Sequence, residues 1–438
     1  MTIRQAIQTL IIAQVLFFGI GYSEETLAPD AAAPVAPPVC DAIKASANQP
    51  EPTPEPVFDD EISAESESPL SIHGYGGTSF GYVSNYEYEQ AKNQGDWDNA
   101  YFALNLSYRT PDNLTMYIQT SLKSDDQDYD MALDYAFIDQ RFSDAFQLRA
   151  GKLKTPFGLY TEIIDVGTLR PFVNLPVSVY GSWGWVTKSF YGVSGAGIVP
   201  LSNDWSLNYN VWGGQLEKFA YYDNWDNGLG LIEEYYIEDI LKECFGVQLI
   251  FEAPSLGLKL GIAGYTGNDD SYYTAIEQDL DGDGNIDVIY PRTLDAANQR
   301  VSLVDAFIEY TDGDKVTVRA EFLKIITTEY YSVPGYDYLE QGWYIEASYR
   351  LTEHWQVAGG YTDYIAEYDD TGKYIHREFI VGFNYWFDAN TVIKASYHNI
   401  FGHGYVFPSA EQHQAIIDAG ESIKNKHHAV FTGVQFSF

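Results

Sequence analysis

The chain has 438 residues, with 36 Tyr, 24 Phe and 9 Trp against 3 Met and 2 Cys. Its formal charge of −37 excludes nucleic acid as a partner, because no basic surface is available to displace counterions. Mean hydropathy is −0.23 and no interior run approaches the roughly 18 apolar residues of a membrane helix, while Cys40 and Cys244 give no disulfide framework.

Residues 1–23 read as a signal peptide. Arg4 precedes an apolar stretch from Leu10 to Ile20, too short to span a bilayer, and Gly21 and Ser23 supply small residues for cleavage. Residues 24–69 are rich in Pro, Ala and Glu, with eleven acidic residues against one basic, Lys44. Such sequence cannot bury enough surface to offset its ordering entropy, so it is expected to be a disordered periplasmic linker.

From Leu70 the period changes to two, the pattern of an all-β transmembrane antiparallel β-barrel over 70–438. Phe102, Leu104, Leu106 and Tyr108 share one face, and Ala103, Asn105, Ser107 and Arg109 the other. Sixteen strands are predicted: 70–83, 100–110, 113–123, 129–142, 145–153, 187–199, 204–214, 244–253, 256–266, 299–311, 314–327, 340–350, 354–366, 374–387, 390–400 and 427–438. Short turns such as Pro111-Asp112, Ser143-Asp144 and Asp388-Ala389 alternate with long connections at 84–99, 124–128, 154–186, 215–243, 267–298, 328–339, 367–373 and 401–426. An even strand count with short turns on one side and long loops on the other is outer-membrane topology. It places the chain in the outer membrane of a Gram-negative bacterium, with lipid and lipopolysaccharide as its surroundings.

The segment Arg149-Ala150-Gly151-Lys152-Leu153-Lys154-Thr155-Pro156-Phe157-Gly158-Leu159-Tyr160 resembles a motif of the phosphate-selective porin O/P-like family. Arg170-Pro171-Phe172, Leu175-Pro176 and Val179-Tyr180 continue the resemblance. The terminal alternation ending in Phe438 is similar to the assembly signal of outer-membrane proteins. The resemblance implies a porin that forms a homotrimer of sixteen-stranded barrels, each with a pore narrowed by an inward-folded third long loop, here 154–186.

A pore selects by width and by the charges that line it. The inward face is predicted to carry Arg109, Lys123, Arg149, Lys259, Arg319, Arg350 and Lys394, nearly balanced by Asp134, Glu252, Asp305, Glu309, Glu321 and Glu346. The charge of −37 therefore belongs mainly to the linker and loops. In the third loop region stand Lys152, Lys154, Glu162, Asp165 and Arg170. Glu162 and Asp165 are expected to face Arg149, Arg319 and Arg350 across a constriction, where opposed charges would set up a transverse field.

Asp279, Asp281, Asp283, Asn285 and Asp287, with Gly284 at the sixth position, match the alternating oxygen ligands of a calcium loop. Tyr290 stands where the bidentate Glu would be, which predicts weak binding and a loop-stiffening role. His354, His376, His398, His403, His427 and His428 sit in turns, loops or strand ends and no catalytic set stands out, so no enzyme activity is expected. The function expected is passive diffusion of small hydrophilic, charged solutes, with no required cofactor. An active transporter would need about 22 strands and a plug, which residues 24–69 cannot form. The alternative is a non-conducting surface barrel that adheres or interacts through its acidic loops.

Overall fold

The computed structural model describes residues 69–438 apart from 90, 92–94, 126–127, 182–185, 203, 227–231, 279–291, 314, 329–337, 369–371, 408–415, 417–418 and 420–421. The expected signal peptide, the linker up to residue 68 and the calcium loop 279–287 lie outside the described residues.

Sixteen strands close into one antiparallel barrel, each paired with its neighbours in sequence, the last paired with the first. They are β1 Leu70–Val83, β2 Asp96–Arg109, β3 Leu114–Asp125, β4 Asp128–Ser143, β5 Phe146–Lys154, β6 Ser189–Pro200, β7 Ser206–Asp226 and β8 Ile232–Ala253. The second half comprises β9 Leu258–Gln278, β10 Arg292–Asp312, β11 Val316–Thr328, β12 Tyr338–Arg350, β13 Trp355–Tyr368, β14 Gly372–Trp386, β15 Thr391–Gly402 and β16 Lys426–Ser437. Closure satisfies the backbone groups that an open sheet edge would leave bare in lipid.

Period-two alternation sorts the side chains. Ile72, Met116, Ile118, Val193, Ile262, Val304 and Phe379 are exposed on the outer face. Their inward neighbours Thr115, Gln119, Ser194, Asp305 and Glu378 are buried. An outer wall this apolar around a polar interior is the inverse of a soluble protein and suits lipid. Exposed aromatics gather at the short-turn end, among them Tyr108, Phe142, Phe146, Tyr349, Trp355, Phe387 and Phe438. These amphipathic rings suit a headgroup interface.

The strands differ from expectation mainly at β7–β10. β7 continues to Asp226 rather than ending at 214, β8 begins at Ile232 rather than 244, and β9 continues to Gln278 rather than 266. Much of the expected loops 215–243 and 267–298 is therefore paired strand. The alternation fades there because the sequence turns acidic and Tyr-rich, while the backbone ladder continues without it.

Three long connections bear on the interior: L1, residues 84–95; L3, residues 155–188; and L8, residues 403–425. L3 contains two single-turn 3-10 segments, Thr161–Ile163 and Gly167–Leu169, and a short helix α1, Val177–Tyr180. Pro176 fixes the turn before α1, where its missing N–H costs nothing.

Candidate functional site: the barrel interior and loop L3

L3 lies against the inward face of the wall. Its first segment, Thr155-Pro156-Phe157-Gly158-Leu159-Tyr160, docks on β8, β9 and β11. Phe157 is buried edge-on to Tyr265, with ring centroids 5.3 Å apart. Gln248 donates to the Gly158 carbonyl (3.2 Å). Gly158 is in the left-handed region (φ +64°), and a Cβ there would strike Glu321 Oε1 and the Tyr180 hydroxyl. Only glycine allows both the turn and the close approach. The Leu159 N–H then donates to Glu321 (3.2 Å).

Glu321 anchors the loop. Its carboxylate also accepts hydrogen bonds from Tyr180 at the end of α1 (2.6 Å) and from Tyr344 on β12 (2.7 Å). Next to it, Tyr160 of L3 donates to Glu346, and Arg319 donates to the Tyr160 hydroxyl (3.0 Å) and to Glu309 (2.5 Å). Lys259 lies 3.5 Å from both Glu252 and Glu309. Buried charges are tolerable only when paired and hydrogen-bonded like this.

Further along, L3 is held through its backbone. Lys394 of β15 is fully buried and donates to the carbonyls of Gly167 (2.6 Å), Arg170 (2.5 Å) and Phe172 (3.4 Å). Asn384 donates to the Pro171 carbonyl (2.9 Å). Phe172 packs on Ala358 and Ile380. Ser178 of α1 donates to the Trp343 carbonyl (3.0 Å), and Gly342 beside it leaves room for that backbone, because a Cβ would strike the Ser178 carbonyl. A core of Leu153, Phe157, Tyr160, Val179, Phe190, Trp212, Leu303 and Tyr344, among others, fills the space between loop and wall.

The loop's charges go elsewhere than expected. Asp165 pairs with Lys188 at the end of L3 (2.5 Å), and Lys188 also binds Asp134 on β4 (2.6 Å). Glu162 contributes its backbone carbonyl, which accepts from Lys154. Neither acid is paired with Arg149, Arg319 or Arg350, so the expected opposition across a gap is corrected. Those arginines have wall partners instead. Arg149 pairs with Asp139 (2.8 Å), Arg319 with Glu309, and Arg350 stacks over Trp386 (4.8 Å) near the short turns. Arg109 reaches Thr115 (3.5 Å), and Arg170 donates to the Ile164 carbonyl (3.1 Å).

Lys152 is a second correction. It pairs across the ladder with Tyr191 and lies over that exposed ring (5.0 Å), on the outer face rather than in the lumen. Lys154, at the strand end, turns inward over buried Tyr135 (5.0 Å).

Lys188 escaped the sequence reading because it fell within a predicted strand, 187–199. Asp134 reaches it through a bulge. Opposite the consecutive Gln119 and Thr120 of β3 stand Tyr135 and Leu133, leaving Asp134 as the extra residue. A bulge re-aims side chains, and both Asp134 and Tyr135 are buried inside.

No protein-family model matches the chain, and no curated protein sequence matches it. Solved structures do. The anion-selective porin from Comamonas acidovorans superposes with TM-score 0.52 at 8% identity, covering 84% of this chain and 99% of that one. The trimer form of OmpT, an outer membrane protein of Vibrio cholerae, gives 0.50 at 11% identity over 84% and 99%. Salmonella typhi OmpF in complex with daunomycin gives 0.50 at 13%, over 84% and 97%. At these identities the likeness is one of fold: the chain folds as the sixteen-stranded barrels of Gram-negative outer membranes do, and its apolar outer wall fits that location.

Proposed function

We propose that the protein is a passive diffusion channel for small anions across the outer membrane, with L3 narrowing the lumen and no enzymatic step. One observation carries the anion preference: most inward ion pairs present the cation to water and bury the anion against the wall. Arg149 is 27% exposed and its partner Asp139 8%. Lys188 is 24% exposed and Asp134 5%. Arg319 is 15% exposed and Glu346 4%. Glu252, as open as Lys259, is the exception. The inward pairs thus give an unequal surface, and a solute meets mainly guanidinium and ammonium groups. The acidic loops do not cancel this, because fields between exposed charges are screened beyond about 10 Å at 0.1 M salt.

The resemblance to the O/P-like porins supports the same reading and extends it to a trimer. A calcium ion at Asp279, Asp281, Asp283, Asn285 and Asp287 would stiffen the connection between β9 and β10. The test is single-channel conductance and reversal potential of the purified protein in planar bilayers under a KCl gradient. Stepwise conductance with a chloride-selective reversal potential is expected. A cation-selective potential would overturn the anion preference. Absence of conductance over many insertions would favour a surface barrel that acts through its acidic loops, a reading that draws on how completely L3 packs onto the wall.

A further inference from the structure

At the long-loop end, L1 and L8 fold together onto the inner wall of β13–β16. Tyr88 and Val406 pair their backbones, as do Glu87 and Phe407. Tyr86, Tyr88 and Ala91 of L1 and Tyr405 and Val406 of L8 are buried in one cluster with Val83, Ile400, Ala429 and Phe431. The Lys424 N–H donates to the Tyr86 hydroxyl (3.0 Å). This cap covers a polar patch. Glu378 of β14 accepts from the Tyr88 hydroxyl (2.8 Å) and lies 2.5 Å from His398 Nδ1 and 3.5 Å from His376 Nε2. Its oxygens are thus already served by the cap and the wall.

Glu89 faces Glu378 from the cap. Its Oε1 is buried and has no hydrogen-bond partner, and its backbone is held at φ +51°, a conformation uncommon for a residue with a side chain. A second carboxylate held there by a strained turn, with no cation of its own, is a component poised to leave. Burial, and then Glu378, push the Glu89 carboxyl up to about 7.

We propose that the L1–L8 cap is a proton-held lid, docked on the inner wall while Glu89 is protonated and lifted once Glu89 ionises against Glu378. The direction follows from linkage. A carboxyl raised by docking stabilises the docked form below its free value near 4.5, and that stabilisation is lost as pH rises through about 7. The other groups facing this patch do not reverse the sign. From the wall they are His376, His398, His427 and Glu340, and from the loops Tyr86, Tyr88, Tyr405, His403 and Lys424. Lys424, the ammonium among them, is bonded to Asn85 and not to either carboxylate. The lid goes beyond the diffusion reading, since it concerns when the lumen is open rather than what passes.

The test compares the full-length wild type with Glu89→Gln between pH 6 and 8.5. Two readouts are followed: hydrogen exchange at the amides of residues 84–91, corrected for intrinsic base catalysis, and single-channel open probability. In the wild type, protection of L1 is expected to fall about 10-fold over this range, with open probability rising in step. Glu89→Gln should stay docked throughout. Protection that is independent of pH in the wild type, or that falls equally in Glu89→Gln, would overturn the lid. A barrel that never conducts, yet loses L1 protection only with Glu89 present, would sink the diffusion channel and leave the lid standing.

Discussion

Two stretches of the inner wall carry the same kind of pair in the same alternating register. On β4 and β5, Asp139 faces Arg149 with the arginine partly in water. On β11 and β12, Arg319 faces Glu346, but Tyr160 of L3 lies over them and Glu321 beside them binds the loop directly. At the first stretch the arginine is 27% exposed, whereas at the second the loop covers most of the pair and leaves Arg319 15% exposed. One chemistry therefore serves solvation in one place and attachment in the other, and the difference lies in what covers it.

The sharpest way to break this contrast is Glu321→Ala. It strands the hydroxyls of Tyr180 and Tyr344, while the Leu159 N–H keeps the Tyr180 hydroxyl as acceptor (3.0 Å). At about 1–3 kcal/mol for each buried donor left unpaired, a loss on the order of 3 kcal/mol or more is expected in urea unfolding from detergent. L3 should also become cleavable by protease. Lys394→Met should come next, with about 2 kcal/mol lost, since it frees three L3 carbonyls from a buried ammonium. Faster proteolysis between Gly167 and Phe172 would register it, and unchanged cleavage would show that those contacts do not hold the loop.

On the open stretch the balance inverts. Arg149→Ala leaves the buried Asp139 carboxylate without its guanidinium and should cost about 1–2 kcal/mol, less than Glu321→Ala, and move the reversal potential toward cation preference. A large stability loss there would erase the distinction between the two stretches. Lys152→Ala, on the outer face over Tyr191, should leave the reversal potential where it was. A shift equal to that of Arg149→Ala would return Lys152 to the lumen.

The barrel was legible because alternation, turn residues and connection lengths are local properties of the chain. Inward placement of Arg149, Arg319, Glu309 and Glu346 followed from parity alone. Parity failed wherever the backbone departs from an even period. The bulge that brings Tyr135 inside next to Asp134, which parity already placed inward, and the strand end that turns Lys154 inward carry no sequence marker. At Lys152 parity points outward, three residues from inward Arg149, and grouping it with the third loop overrides that signal. What L3 touches could not be read at all. Its partners Glu321, Asn384 and Lys394 are distant in sequence, and height along the barrel depends on stagger that no single strand reveals.

The seam has a consequence for how the barrel is made. β1 and β16, from opposite ends of the barrel sequence, are joined along Tyr75–Val83 and Ala429–Ser437. Gly74 and Phe438 exchange backbone hydrogen bonds (3.0 and 2.9 Å). Until that last strand arrives, fifteen strands make a sheet with two raw edges that neither lipid nor water-free packing can satisfy. Joining such distant segments is also the slowest kind of contact to find. Closure of the wall therefore waits on β16, whichever strands have paired before it.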